Sequence, residues 1–283
     1  MAFKILVEDR VPTYPGRVTL TPVPGEENTF DMVRADLPVT EGTPINKKLF
    51  DSKTDCLLEN VKVYVATTGS DIEGDGSLDA PFLTIQAAID ALPKNLDGHT
   101  AEIFIDDGTY TERVVITGFT SGRLIVGEHS KNVTIIGGID VVNSSFVEIN
   151  IYQIERDVNS TAQLFVAKDG SNVSVSSDMY LNGLNSNSIG MLVENNSHLV
   201  TADNVKITCD NCAMAITAQW CSFVSVSTIA GVNNTFGMSA TQGSIVSYKT
   251  DSLYKLWSNN ADSGGLVLTG QNSSDLSDAT LDL

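Results

Sequence analysis

Positive charge is scarce in this sequence. The chain has 17 Lys and Arg residues against 35 Asp and Glu, a formal net charge of −18 at pH 7. Basic residues also thin out along the chain: after Arg156 there is no arginine, and the remaining lysines are Lys168, Lys206, Lys249 and Lys255. Because binding to phosphate groups needs clustered Lys and Arg, this composition argues against nucleic acid and anionic membranes as partners.

Long apolar runs are missing as well. No stretch approaches the roughly 18 consecutive apolar residues of a membrane-spanning helix. The apolar run at the N-terminus, within MAFKILVEDR, is too short for a signal peptide, because Glu8 and Asp9 end it. We therefore expect a protein that is synthesised in the cytoplasm, without a signal peptide and without a membrane partner.

Cysteine is limited to Cys56, Cys209, Cys212 and Cys221. The CDNC spacing of Cys209 and Cys212 is compatible with zinc binding or a dithiol cycle. A structural zinc site needs four ligands, however, and only Cys221 lies near as a third. The preferred interpretation is that these are small side chains of a core, with no disulfide framework.

Proline is concentrated near the N-terminus, where residues 1–60 are predicted to form an attachment arm. Seven of the eight prolines lie at or before Pro81. RVTLTPV, residues 17–23, alternates like a half-buried strand. Thr43 followed by Pro44 is typical of a helix start and predicts a short helix through INKKLFD. The arm is too small to fold well alone, so we expect it to dock on another protein.

A strand, a loop and a helix are predicted for residues 61–95. VKVYVAT reads as the strand, and PFLTIQAAIDALP places Ile85, Ala88, Ile89 and Leu92 on one helical face before Pro93 ends it. Since a helix with an apolar face must bury that face, this helix is predicted to cap a larger structure.

The remainder of residues 61–283 is repetitive. Short runs of β-branched residues alternate with Gly, Asn, Ser and Asp, and five segments align: SFVEINI, SNVSVSS, SHLVTAD, SFVSVST and SIVSYKT. Their serines follow one another at intervals of 22 to 26 residues: Ser145, Ser171, Ser197, Ser222 and Ser244. A second series, QLFVAKD, GMLVENN, AMAITAQ and FGMSATQ, lies shortly before each of the last four.

This period, with several strands in each repeat, predicts an all-β solenoid of stacked coils. A leucine-rich repeat has a similar period but needs a leucine consensus that is absent here. Asn- and Ser-rich turns with Val and Ile strands favour a right-handed parallel β-helix, in which turn side chains bond along the axis. An antiparallel sandwich of regularly spaced strands is the alternative. Residues 250–283 form the predicted C-terminal end.

The loop DIEGDG, residues 71–76, begins like an EF-hand, with acids at Asp71, Glu73 and Asp75. Counting Asp71 as position 1, position 12 falls on Phe82, which cannot supply the bidentate carboxylate of that motif. We therefore interpret the loop as a turn into the capping helix, and we predict no metal ligand and no cofactor.

YVATTGSDIEGDGSLDAPFLTIQAAIDALP, residues 64–93, resembles the opening of many pectin-lyase-like right-handed β-helix proteins. These commonly begin with a strand, a GSD…DG loop and a PF-x-TIQ-x-AID helix, and later carry a GTY-x-E segment, here Gly108, Thr109, Tyr110 and Glu112. The resemblance implies a parallel β-helix but little about function, because this fold serves lyases, hydrolases and structural spikes.

A second resemblance covers residues 11–51. VPTYPGRVTLTPVPG and FDMVRADLPVTEGTPINKKLFD are similar to the leader of tail and baseplate-associated proteins from phages and prophages of Gram-positive bacteria. The resemblance implies a virion subunit, such as a tail fibre or tailspike-like appendage, that attaches to other tail or baseplate proteins through its arm. Viral spikes of this kind are typically homotrimers, so a homotrimer is expected.

Catalytic residues are not evident. Glycoside hydrolysis needs two carboxyl groups flanking the bond, but the acids along the coils are sparse, and adjacent Asp106 and Asp107 point to opposite faces of a strand. His99, His129 and His198 are scattered, and Lys206 is isolated. We therefore assign no catalytic residue and expect a structural, receptor-binding virion protein that contacts a host-surface glycan. A polysaccharide lyase or glycoside hydrolase acting on such glycans is the alternative.

Overall fold

A computed structural model describes residues 11–12, 18–22, 30–34, 38–40, 56–128, 132–159, 163–184, 187–250 and 260–269. The chain divides into two compact units, residues 1–54 and 55–283. Four short strands of the first unit form two antiparallel pairs: β1 (Val11–Pro12) with β4 (Pro38–Thr40), and β2 (Val18–Pro22) with β3 (Phe30–Arg34). The strand predicted within residues 17–23 is confirmed as β2, whereas the helix predicted after Pro44 lies outside the described residues.

The second unit contains one helix among its described residues, α1 (Ile85–Ala91), and otherwise strands. In chain order the strands are β5 (Val61–Val65), β6 (Thr100–Ile105), β7 (Gly108–Thr117), β8 (Arg123–Glu128), β9 (Val133–Val142), β10 (Val147–Ile149), β11 (Gln153–Glu155), β12 (Phe165–Lys168), β13 (Asn172–Val175), β14 (Met179–Asn182), β15 (Ile189–Glu194), β16 (His198–Thr201), β17 (Lys206–Asp210), β18 (Met214–Gln219), β19 (Phe223–Ala230), β20 (Phe236–Thr241), β21 (Ile245–Thr250), β22 (Asn260–Asp262) and β23 (Leu266–Thr269).

These strands wind into a parallel β-helix. The first face stacks β5, β6, β8, β10, β13, β16, β19, β21 and β23. The second face holds the first halves of β7 and β9, then β11, β14, β17 and the end of β19. The third face holds the second halves of β7 and β9, then β12, β15, β18, β20 and β22. Every strand pairing among the described residues of this unit is parallel, so the parallel β-helix is confirmed and the antiparallel sandwich is wrong.

The core is a column of apolar side chains that alternate with outward residues along each strand. On the first face, one inward position passes through six coils in register and is buried in each: Leu124, Val147, Val173, Leu199, Val224 and Val246. Each coil is too thin to bury its own apolar side chains, and stacking removes them from water.

A buried ladder of serines marks the corner before the first face. The backbone N–H of Ser144 donates to Oγ of Ser171 at 3.3 Å, Ser171 donates to Ser197 at 3.1 Å, and Ser197 donates to Ser222 at 3.2 Å. The last step, from Ser222 to Ser244, is 3.0 Å. The expectation that turn serines bond along the axis is therefore confirmed.

The first serine of this ladder is Ser144 rather than the expected Ser145. Oγ of Ser144 accepts the N–H of Phe119 at 3.1 Å, and its own N–H reaches the next coil. The intervals along the ladder are therefore 27, 26, 25 and 22 residues. Alignment of the strand letters alone placed Ser145 in the series because this coil has one extra residue between its ladder serine and its inward Val147.

Asparagines form a second, shorter ladder at a turn that follows the second face. Nδ2 of Asn211 donates to Oδ1 of Asn182 at 2.9 Å, and Nδ2 of Asn233 donates to Oδ1 of Asn211 at 3.1 Å. Asn211 and Asn233 both adopt φ of 58°, a conformation that asparagine tolerates better than most residues. The side-chain amide thus connects successive coils at a turn that few other residue types could make.

The helix α1 packs on the first coil as predicted. Thr84 is its N-cap and accepts the N–H of Ala87 at 3.2 Å, and the chain leaves the helix at Leu92. Ile85, Ala88 and Ile89 are fully buried in the same core as the strands. This burial is the reason that so short a helix is stable, since an isolated helix of its length would not form.

Carboxylates satisfy the backbone groups at the start of α1. Asp71 Oδ1 accepts the N–H groups of Leu83 and Thr84 at 2.8 and 3.0 Å. Glu112, from β7, accepts the N–H groups of Ile85 and Gln86, both at 2.9 Å. Burial raises the pKa of Glu112 above its ordinary value, although these two donors act in the opposite direction. The loop, the helix and the first coil are therefore bonded to one another.

The interpretation of DIEGDG as a turn and cap is confirmed by these bonds. Besides Asp71, Asp75 accepts the N–H of Ser77 at 2.9 Å, and Ser70 accepts the N–H groups of Ile72 and Glu73. Hydrogen bonds with Ser77 hold the pKa of Asp75 below its ordinary value. Asp71 and Asp75 thus accept from backbone groups of the loop and of the helix start.

At the C-terminal end, β22 and β23 continue the third and first faces to Thr269. The coil thus extends beyond Ser244, the last repeat recognised in the sequence. The apolar cluster Leu253, Tyr254, Leu256 and Trp257 lies outside the described residues.

Replacing Ile89 by Asp should destabilise the protein strongly. The side chain is fully buried, and an unpaired charge there costs several kcal/mol or forces the helix off the first coil. Ala91→Asp, at an exposed position of the same helix, should cost less than about 1 kcal/mol. Thermal melts of both variants check this, and equal melting temperatures would show that α1 is not a cap.

Replacing Ser197 by Ala should lower the free energy of unfolding by about 1–3 kcal/mol, because the buried N–H of Ser171 then lacks an acceptor. Ser225→Ala, an outward serine of the neighbouring coil, is the control and should change it by less than about 0.5 kcal/mol. Urea unfolding monitored by circular dichroism measures both. If the two variants unfold alike, the ladder contributes no specific stability.

Candidate functional site

A pocket of about 410 Å³ opens on the outer side of the first face, near the N-terminal end of the solenoid. It crosses β6, β8, β10 and β13, so it extends over four successive coils. Its polar and aromatic lining consists of His99, Thr100, Ser121, Arg123, Phe146, Glu148 and Ser174. The volume lies within the range of about 300–1,000 Å³ that is usual for small-molecule sites.

Arg123 and Glu148 form an ion pair in the wall of this pocket. The Glu148 side chain is only 10% exposed although it lies on the outward face, and Nδ2 of Asn150 donates to it at 3.2 Å. Burial by itself raises the pKa of Glu148, but hydrogen bonds from Arg123, Asn150 and Ser176 outweigh it and hold the pKa below its ordinary value. The carboxylate is therefore charged at neutral pH and fixes the guanidinium beside it.

Most of the hydrogen-bonding capacity of Arg123 is unused within the described part of the chain. A guanidinium has five N–H donors, and Glu148 is the one described partner of this side chain. The side chain is 54% exposed. The remaining donors therefore face the pocket and solvent, where a ligand could accept from them.

Phe146 is the most unusual residue of the pocket. It is 65% exposed and has φ of 57°, which is rare for a bulky residue and costs free energy. Elsewhere along the ladder, one residue separates the ladder serine from the inward residue, whereas Ser145 and Phe146 both intervene before Val147. An extra residue of this kind re-aims a side chain and is common beside functional sites.

A row of outward residues follows Phe146 along the first face. Asn172, His198, Phe223 and Ile245 follow in register on successive strands. His198 thus occupies a position of the repeat. The structure places it on the outer surface, with its ring 6.2 Å from that of Phe223 in an edge-to-face arrangement.

These groups suit the recognition of a ligand with hydroxyl groups. The Phe146 ring offers a flat apolar surface, Arg123 offers donors, and Thr100, Ser121 and Ser174 offer hydroxyls that both donate and accept. Glu148 is the single carboxyl group among the lining residues. The pair of carboxyl groups that glycoside hydrolysis requires is therefore not present in the lining.

Arg113, in a second cavity of about 110 Å³, has a structural role. Its guanidinium donates to Asp140, through Nε at 2.9 Å and through Nη2, and Nη1 donates to the carbonyls of Gly137 and Gln163. These partners lie on the next two coils. Gly138 leaves the room that this side chain needs, because a Cβ there would lie 2.6 Å from Nη1. Arg113 thus connects three coils.

The cysteines are free thiols. Cys209 and Cys212 are buried and donate to the carbonyls of Ala215 and Asp210. Burial raises the pKa of Cys209, and raises that of Cys212 to about 12. Because the thiolate is the reactive form, these two residues are poor nucleophiles. Their burial confirms that they are core side chains, whereas Cys56 is half-buried and Cys221 is exposed, so the interpretation is wrong for Cys221.

The other polar residues considered from the sequence are not brought together. Asp107 accepts two hydrogen bonds from Asn132, and Lys206 donates its backbone N–H to Asp178. His99 lies in the pocket, and His129 is outside the described residues. Within the described ranges there is no group of three or more His, Cys, Asp and Glu side chains placed to hold a metal ion. No helix among those residues is long and apolar enough to cross a membrane.

Sequence reasoning missed the pocket. It regarded the acids along the coils as too sparse for catalysis and did not consider Arg123 or the exposure of Phe146. The one available signal was the doubled serine in NSSF, residues 143–146, where other repeats have a single serine. That extra residue marks the coil that departs from the pattern.

Comparisons with known proteins add little. No family model matches the chain, and no curated protein matches it. Among solved structures, a rhamnogalacturonan lyase aligns with a TM-score of 0.31 and 11% sequence identity, over 71% of this chain and 72% of that protein. So weak a likeness carries no argument about activity. The strand pairings and the pocket define the chain as a parallel β-helix protein with one candidate ligand site on its first face.

Proposed function

We propose that this chain is a structural, receptor-binding subunit of a phage virion, such as a tail fibre, a tailspike-like protein or another appendage. The solenoid contacts a glycan of the host surface. The N-terminal arm attaches the subunit to other tail or baseplate proteins. In this role the protein is made in the host cytoplasm and resides in the virion.

The observation that carries the binding role is the pocket around Phe146 and Arg123. An exposed aromatic ring and a fixed guanidinium lie together on a rigid β-sheet face, as is expected of a site that selects a small ligand. The attachment role is supported by the leader-like sequence of residues 11–51 and by the separate compact unit of residues 1–54.

Cleavage of the same glycan is the second candidate, favoured by the shielded carboxylate of Glu148 beside the pocket. Binding is better supported, because glycoside hydrolysis needs a second carboxyl group. The one arginine of the lining is already engaged by the carboxylate of Glu148, so it is not placed to act as the base of a lyase.

Antibodies against the chain should label the tails of purified virions from the phage or prophage that encodes it. In parallel, the protein incubated with host cell-wall and capsular glycans should release neither reducing ends nor unsaturated uronates. Absence from purified virions would contradict the structural role. Release of either product would replace the binding role by that of a depolymerase.

The subunit is proposed to act as a homotrimer. The motivation is an acidic solenoid joined to an arm of short strand pairs, together with the apolar cluster near residues 253–257, which would favour aggregation if it were exposed in a monomer. Light scattering on the full chain should give about three times the chain mass of 30.3 kDa. A monomeric mass would contradict the trimer.

A further inference from the structure

The pocket on the first face is electrically neutral, although the chain carries a net charge of −18. Arg123 and Glu148 are its only permanently charged lining groups, and they are paired with each other. An anionic ligand would gain from Arg123 but would lie close to the carboxylate of Glu148 and within the negative field of the whole chain. The charges therefore disfavour a uronate or a phosphate.

Hydroxyl groups meet no such penalty. A hydroxyl is both donor and acceptor, so it can accept from the free N–H groups of Arg123 and donate to nearby oxygens. A buried carboxylate that fixes an arginine also sets the direction of those donors, and a planar guanidinium loses little entropy when it binds. The pair thus suits neighbouring hydroxyls on one ring.

Phe146 supplies the apolar part of the contact. Its ring is 65% exposed in a backbone conformation that the fold does not need elsewhere along the row. A sugar ring has an apolar face of CH groups, and covering the phenyl ring with it removes both surfaces from water.

We infer that this pocket binds an uncharged sugar unit, a neutral hexose or N-acetylhexosamine, whose ring stacks on Phe146 and whose hydroxyls accept from Arg123. Glu148 acts as the positioning residue for Arg123. The inference rests on the proposed glycan-binding function and names the chemical class of glycan that this site selects.

The test is a titration of the full chain with defined tetrasaccharides, followed by calorimetry and by saturation-transfer NMR. Cellotetraose, mannotetraose, galactotetraose and chitotetraose are the uncharged probes, and tetragalacturonate is the anionic probe. At least one uncharged probe should bind, and its affinity should change less than about twofold between about 50 and 500 mM salt, since no net charge is neutralised. Tetragalacturonate should bind at least about tenfold more weakly.

Phe146→Gly is the decisive variant. Glycine adopts positive φ without strain, so this variant should fold at least as well as the parent while losing about tenfold or more in affinity. Arg123→Lys, which keeps the charge but loses the planar donor array, should lose affinity as well. Phe223→Ala, on the same outward row but outside the pocket lining, is the matched control and should bind as the parent does.

Preference for tetragalacturonate, binding of no probe, or unchanged affinity in Phe146→Gly would each overturn the inference. These outcomes are distinguishable from failure of the proposed function. If antibodies detect the chain on virions but it binds no sugar, the pocket assignment alone is refuted. A chain absent from virions that still binds an uncharged probe through Phe146 refutes the virion role alone.

Discussion

From Ser144 to Ser244, each coil of this solenoid depends on how it turns the corner into its first face. At that corner a backbone N–H is buried in the interior, where a missing acceptor costs free energy. The serine hydroxyl of the following coil supplies the acceptor, and its own N–H needs the coil after that. Because each coil supplies the hydrogen-bond acceptor for the coil before it, the ladder holds neighbouring strands of the first face in register.

A solenoid has an open end, where the first coil has no preceding coil to cover its apolar side chains. The helix α1 covers that end, and the carboxylate of Glu112 returns from the first coil to hold the helix N-terminus. Asp71 does the same from the loop. These bonds explain physically why a GSD loop, a TIQ helix and a GTY-x-E segment occur together: each element supplies hydrogen-bond partners to another.

The sequence was sufficient to predict the fold because the repeat consists of residues whose structural role depends on their local pattern. Inward Val, Ile and Leu alternate with polar residues, and turn Ser and Asn recur at each coil, so pattern and spacing predict the strands and the cap. It was insufficient for the pocket, because Arg123 and Glu148 lie 25 residues apart and meet only through the stacking of coils. The first serine of the ladder was also placed one residue late, at Ser145 instead of Ser144, because aligning the repeats by sequence does not show where a coil contains an extra residue.

The position of that extra residue also indicates where the ligand site lies. In a repeat fold every coil is held to the same geometry, and a departure costs stability unless something compensates. Phe146 combines three departures: an inserted neighbour, a left-handed backbone conformation costing about 1 kcal/mol or more, and an exposed ring whose burial the fold does not use. Beside it, Glu148 gives up hydration to hold an arginine whose other donors are unused by the described chain. The exposed ring and its backbone conformation do not strengthen the solenoid, whereas a bound ring with hydroxyl groups would gain from the phenyl ring and from the unused donors. The place where the repeat is broken is therefore where the molecule is expected to meet its ligand.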